Sequence, residues 1–234
     1  MAGLLPPDGQ GRKQAIATRA QSLKDRRKRR LKELLTRERE LWAEGYQRVA
    51  GVDEAGVGPL AGPVVAAAVI FPRGLGLAGV DDSKKLTPGR REQLAVEIKQ
   101  QALAFCIAAV EPPEIDAMNI YRASREAMRR ALVGLSIAPD YLLIDGRDIR
   151  LLALPQETVV KGDSHCHAIA AASILAKTTR DGLMADYDEQ FPGYEFSSHK
   201  GYPTKVHREA IRRLGPSPVH RLSFTLLPQP TLWD

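Results

Sequence analysis

Cysteine is scarce in this chain of 234 residues, which holds only Cys106 and Cys166. Two cysteines without an export signal read as reduced thiols, and no disulfide framework is implied. Long hydrophobic runs are also missing. The longest, residues 59–71, is too short to span a bilayer, and the opening MAGLLPPDGQGRK has no basic stretch ahead of an apolar one. A cytoplasmic location with no membrane partner is the expectation. Zinc spacing is absent too: SHCH places His165, Cys166 and His167 in a row with no CxxC partner, and consecutive residues cannot wrap one tetrahedral ion. GVGPLAG lacks the GK[ST] of a phosphate-binding loop. What remains is 44% hydrophobic and 26% charged, enough for one sizeable soluble core.

The charge is unevenly distributed. Residues 1–48 carry a net charge of +7 and residues 49–234 a net charge of −1. The centre of the basic part, KDRRKRRLKELLTRERELW, is rich in helix formers, with an imperfect apolar stripe of Leu31, Leu34, Leu35, Leu41 and Trp42. It reads as a basic helix behind a loose leader, an extension over residues 1–47. Attraction to nucleic-acid phosphates and simple solvation of the helix are both compatible with that charge.

From Tyr46 the pattern changes. YQRVAGVD, PVVAAAVIF, FCIAAVE, PDYLLIDG and ETVVKGD read as five strands. Between and after them lie helical stretches. TPGRREQLAVEIKQQAL has Thr87 as cap and Pro88 at its first position. NIYRASREAMRRALVGL is closed by Gly134, and SHCHAIAAASILAKTTRDGLMADY and YPTKVHREAIRRLG follow. Strands alternating with helices predict an α/β fold, with a mixed five-stranded sheet flanked by helices. Residues 48–234 form the main domain, with a helical C-terminal segment from about residue 188.

Three strands end on acids: Asp53 and Glu54, Asp145, and Asp163. If those strands are neighbours, the acids meet at one sheet edge, where their repulsion raises their pKa values unless a cation intervenes. Oxygen ligands alone favour Mg²⁺ or Mn²⁺. Two such ions about 3.5–4 Å apart activate a water and stabilise the leaving oxygen of a phosphodiester. Plainer roles stay open: turn acids at Asp53, Glu54 and Asp145, and an N-cap at Asp163 for the helix that follows. Asp181 is a rival ligand, but along a continuous helix it lies roughly 25 Å from Asp163. It pairs more plausibly with Lys177, one turn earlier.

From about Arg48 to Phe224 the chain resembles the bacterial ribonuclease HII family. GVDEAGVGPLAGPVVAAAVI, DDSKKL, EIDAMNIYRAS, YLLIDG, VVKGDS, IAAASILAKTTRD and HKGYPT occur in the family's order and approximate spacing. The resemblance implies a ribonuclease H-like fold and divalent-metal cleavage of the RNA-containing strand of RNA–DNA hybrids. It also implies cleavage 5′ of ribonucleotides embedded in duplex DNA, leaving a 3′-hydroxyl and a 5′-phosphate, by a monomeric enzyme. Carried over by position, Asp53, Glu54, Asp145 and Asp163 are the catalytic metal ligands. Gly56, Val57 and Gly58 lie against the ribose at the junction, and Tyr202 stacks on its sugar. Ser83, Lys84, Asn119, Ser164 and Arg180 match positions that contact phosphates or support the site. For Lys84 and Arg180 the plain alternative is an ordinary surface cation.

One departure bears on activity. The family's turn normally reads Gly-Arg-Gly, and here Val57 takes the central place. If that residue contributes only backbone, recognition survives; if the guanidinium anchors a phosphate or orients a catalytic carboxylate, the loss is on the order of 2–3 kcal/mol. The alternative to a nuclease is therefore a hybrid-binding protein with weakened or lost cleavage. His199, His207 and His220 in the basic C-terminal segment read as stray or phosphate-contacting residues.

Overall fold

The alternation of β-branched and small residues decides the core. In the computed structural model, which describes residues 9–146 and 150–227, five strands form one sheet. They are β1 (Val49–Ala55), β2 (Val64–Ile70), β3 (Ala104–Val110), β4 (Tyr141–Asp145) and β5 (Gln156–Val159), in the order β3-β2-β1-β4-β5. β2 pairs antiparallel with β1 and β3, while β4 runs parallel to β1 and β5. The sheet is mixed, as expected, and all five predicted strands are present.

Side chains two apart share a face, so each strand feeds two cores. Ala50, Val52, Ala66, Ala68, Leu142 and Ile144 pack against Ala123, Ala127, Met128 and Ala131 of α5 (Ile120–Val133). Val65, Ala67 and Val69 meet Leu94 and Ile98 of α3 (Pro88–Gln101) and the alanine run of α6 (His167–Gln190). α6 comes down directly on β1, because a Cβ at Gly51 would collide with the backbone of Ala168 and Ile169. Thr87 caps α3 by accepting from the Arg90 N–H at 3.4 Å, with Pro88 behind it. A short helix not foreseen in the sequence, α4 (Pro112–Met118), joins β3 to α5.

The basic arm is helical, as α1 (Gly9–Leu34) and α2 (Thr36–Ala43); the first eight residues of its expected leader lie outside the described residues. Leu35, Leu41 and Trp42 pack with Val49, Leu143 and Ile169, so α2 is part of the core. At the other end, α7 (Phe196–His199) and α8 (Lys205–Leu214) form a small unit with Leu60, Ala61 and Met184. Backbone bonds lace this unit to the loop after β1: Leu60 N–H donates to Gly201 O at 2.8 Å and Gly62 N–H to Val219 O at 2.8 Å.

One predicted boundary shifts. Asp163 is not the cap of α6; it lies in a separate 3-10 turn, Gly162–Ser164, and Cys166 occupies the N-cap position without a side-chain cap bond. The capping acceptor comes from the arm: Glu38 Oε1 receives the Ala168 N–H at 2.9 Å.

Candidate active site

β1 and β4 are parallel with Val52 opposite Ile144, so the next residue on each strand, Asp53 and Asp145, stand side by side on one face at the carboxyl edge of the sheet. Asp53 is buried. Its Oδ1 accepts the Glu54 N–H at 2.7 Å, and the Ser173 hydroxyl of α6 also binds it. Beyond β5, Lys161 adopts a left-handed conformation (φ 57°) that turns the chain back. The Gly162 N–H then donates to Asp145 Oδ1 at 2.6 Å, which sets buried Asp163 beside Asp145. Asp82 accepts the Lys84 N–H at 2.9 Å, and Lys84 Nζ reaches Asp163 Oδ2 at 3.5 Å.

These acids are under-compensated. Burial, then the charges of Glu54 and Asp145, hold the Asp53 carboxyl well above its ordinary range. Burial and Asp145 push Glu54 up to about 7. Asp145 is also raised by burial, with the Gly162 N–H opposing and Asp163 adding to the rise. Burial works against the Lys84 ammonium, yet Asp163, Asp82 and Asp53 together hold its pKa above the usual value. Glu54 Oε2 is buried without a hydrogen-bond partner. Hard oxygen donors, excess negative charge and an orphaned carboxylate oxygen suit a hard divalent cation. Among the described residues no three His, Cys, Asp or Glu side chains close into a ready ligand cage. The acids form a coupled row along the edge.

Immediately beyond this row the chain makes its glycine turn. Gly56 has φ 97°, and a Cβ there would run into the Arg180 side chain. Two buried arginines hold the turn. Arg221 donates to the carbonyls of Gly56 (2.6 Å), Val57 (3.0 Å) and Gly62 (2.9 Å), and Arg180 donates to those of Pro63, Ala61 and Lys200, each at 3.0 Å. A trans peptide points its C=O and N–H in opposite directions. With the carbonyls of Gly56 and Val57 turned onto Arg221, the N–H groups of Val57 and Gly58 face the other way. Glu54 and the turn share a cleft of about 310 Å³, lined also by Ser83, Lys84, Ser173, Lys177 and Tyr202. Tyr202 is 45% exposed and stands over Gly58.

The remaining expected residues divide between supporting the site and standing away from it. Arg180 is neither a phosphate contact nor a surface cation: it is 1% exposed and its three guanidinium nitrogens are spent on backbone carbonyls. Ser83 is buried, with its hydroxyl 2.9 Å from that of Ser173, so it supports the Asp53 partner. Asn119 uses its Oδ1 to cap α5 at the Arg122 N–H, 3.1 Å away, and is not among the residues lining the cleft. Ser164 is half-buried and accepts from Lys85 Nζ at 3.1 Å. The three histidines are not phosphate contacts, because all are buried around Phe196. His207 meets His220 through their Nε2 atoms at 3.1 Å, and His207 Nδ1 lies 2.9 Å from Tyr202 O. Asp181 pairs with Lys177 at 2.5 Å, as expected, and also with Arg91 at 3.2 Å.

Sequence reasoning passed over Ser173 and Arg221, and took Lys177 only as the partner of Asp181. Ser173 interrupts an apolar run four residues after Ile169 and seven before Arg180, a spacing that places all three on one helical face. Arg221 carries no comparable signal.

Residues 50–227 match the family model described as ribonuclease HII. The chain belongs to the ribonuclease HII family. A ribonuclease HII of Myxococcus xanthus is 50% identical over 214 residues, covering 90% of this chain and 73% of that one. One from Moorella thermoacetica is 56% identical over 195 residues, covering 83% and 95%. Among solved structures, the ribonuclease H2 of Pyrococcus horikoshii matches with a TM-score of 0.65 at 29% identity, over 76% of this chain and 94% of that one. The Archaeoglobus fulgidus ribonuclease HII, solved with PCNA, matches with a TM-score of 0.66 at 28% identity, over 80% and 99%. The ribonuclease H-like fold expected from the sequence is therefore the one observed. The chain is a hydrolase, an endoribonuclease of RNA–DNA hybrids, and a ribonuclease HII stripped of cleavage is not favoured.

Proposed function

We propose that Asp53, Glu54, Asp145 and Asp163 hold the divalent cations of this ribonuclease HII, Mg²⁺ or Mn²⁺, and that the Gly56–Gly58 turn with Tyr202 recognises the ribose at an RNA–DNA junction. The observation that carries the reading is the pairing of Asp53 and Asp145 on adjacent parallel strands, beside a buried and unpartnered Glu54 oxygen. Cations bound there supply Lewis-acid activation of water and neutralise charge at the scissile phosphate.

The chain's own groups do the rest. Ser173 and the Gly162 N–H orient two of the carboxylates. Lys84 and Lys177 bring positive charge to the cleft for phosphate oxygens. The outward N–H groups of Val57 and Gly58 meet the 2′-hydroxyl or its neighbouring phosphate, and the 2′-hydroxyl is what distinguishes RNA from DNA. Tyr202 supplies a flat surface for the junction sugar. The cut falls 5′ of the ribonucleotide and leaves a 3′-hydroxyl and a 5′-phosphate. Because Arg221 grips the carbonyl of residue 57, the side chain of Val57 is not what shapes the turn. Single ribonucleotides embedded in DNA and longer hybrids are both substrates of this reading, for a cytoplasmic monomer whose basic arm adds backbone affinity.

The test is a duplex with one embedded ribonucleotide, incubated with Mg²⁺ or Mn²⁺ beside an all-DNA control. A nick 5′ of the ribonucleotide is expected, reduced at least ~10³-fold by Asp53→Asn while duplex binding persists. Full activity of Asp53→Asn overturns the assignment.

A further inference from the structure

A second concentration of positive charge lies on the α5 side of the sheet. Arg122, Arg125 and Arg129 follow one another along α5 at spacings of three and four residues, which places them on one face. All three are exposed, and with exposed Arg150 they surround a depression of about 220 Å³ floored by Leu151. Arg125 Nη2 donates to the Arg150 carbonyl at 3.2 Å and so ties the chain leaving β4 to this helix.

Among the described residues lining this site, the one acid is already committed. Glu126 is gripped by Arg129 at 2.8 and 2.9 Å and by Arg130 Nε at 2.9 Å, while Arg130 also reaches Glu114 at 2.6 Å. The guanidinium groups of Arg122 and Arg150, by contrast, have no hydrogen-bond or ion-pair partner among the described residues. Unpaired guanidiniums converging on a concavity are suited to a phosphate group, whose oxygens accept their forked donors.

Position points to the source of that phosphate. Arg150 follows Asp145 by five residues, so their Cα atoms are within about 18 Å at ~3.6 Å per residue. That upper bound is about half of the ~34–36 Å turn of a duplex. The cleft with Lys84 and Lys177 faces α6, and the arginine cluster faces α5. Cations thus flank the acidic row on both faces of the sheet.

We propose that the Arg122–Arg125–Arg129–Arg150 cluster is a second backbone-binding site, which holds substrate-duplex phosphates within about half a turn of the scissile bond. The proposal rests on the assignment of the cleft as the cutting site, and it predicts that affinity can be separated from chemistry.

The test uses the full chain and the variant Arg122→Ala/Arg150→Ala, which removes two side chains without partners among the described residues. Binding to a duplex of ~30 base pairs carrying one ribonucleotide is followed without divalent cation between about 50 and 200 mM salt. The expected result is a roughly tenfold weaker Kd and a salt slope lower by about 2, since each phosphate contact contributes ~0.9. kcat at saturating substrate stays unchanged, and Arg122→Lys/Arg150→Lys restores the slope. An unchanged slope overturns the proposal. So does inorganic phosphate that binds the wild type but not the alanine variant while duplex affinity stays equal, since the cluster is then a small-anion site. If the slope falls as expected but the wild type cuts neither strand, the catalytic reading fails and the cluster assignment stands.

Discussion

The acidic row and the glycine turn are consecutive in the chain and are built in opposite ways. At the row, buried carboxylates raise one another's pKa values, and one oxygen of Glu54 has no partner. At the turn, the carbonyls of Gly56, Val57, Ala61, Gly62 and Pro63 all receive hydrogen bonds from two buried arginines. On the proposed assignment, unsatisfied charge is kept where a cation would bind. The carbonyls are bonded where, on that assignment, a substrate would be read, as a reader of one hydroxyl must not change shape between substrates.

The sharpest way to break that contrast is to remove a brace. Arg221→Ala leaves the carbonyls of Gly56, Val57 and Gly62 without their donor inside the protein. At 1–3 kcal/mol per orphaned group the chain is expected to lose at least about 3 kcal/mol of stability, read by denaturant unfolding. KM for a ribonucleotide-containing duplex should rise more than kcat falls, because the row is untouched. A variant with wild-type stability would show that the turn needs no such support.

A smaller effect separates the scaffold of Tyr202 from the row by its pH dependence. Burial pushes both His207 and His220 down to about 4, with the neighbouring histidines adding to the shift. Because the folded pKa lies below the ordinary 6.5, their contribution to stability is fully present above about 6.5 and is lost as pH falls towards 4. Each ring is worth on the order of 3 kcal/mol by its shift, and the two are not additive because they share a hydrogen bond. Thermal melting between pH 7 and 4 should therefore fall less steeply in His220→Gln than in the wild type. Identical slopes would remove the histidines from the account.

Much of the row was legible because it depends on local pattern. Buried runs that end on acids, with parallel strands to align them, need only alternation and turn chemistry, and the Thr87–Pro88 helix start and the Lys177–Asp181 pair are likewise short-range. The turn's supports depend on contacts far apart in sequence. Arg221 acts 165 residues from Gly56, and Glu38 caps α6 from 130 residues away. No periodicity encodes such pairings. Charge itself misled at the three histidines, which were read as stray or phosphate-contacting groups although the fold buries them around Phe196.

Val57 provides the finest test of the comparison. If the turn is shaped by Arg180 and Arg221 alone, an added guanidinium at position 57 changes only what is offered to the substrate. Residue 57 lines the cleft and is half-buried, and its φ is not in the left-handed region, so a longer side chain can extend along the opening. Val57→Arg is then expected to leave stability within about 0.5 kcal/mol. It should improve kcat/KM by no more than roughly tenfold, through one charge-assisted phosphate contact of about 1.5 kcal/mol. A gain of 10³-fold would mean that the arginine orients the carboxylates themselves, and the division between a charged row and a self-contained turn would have to be given up.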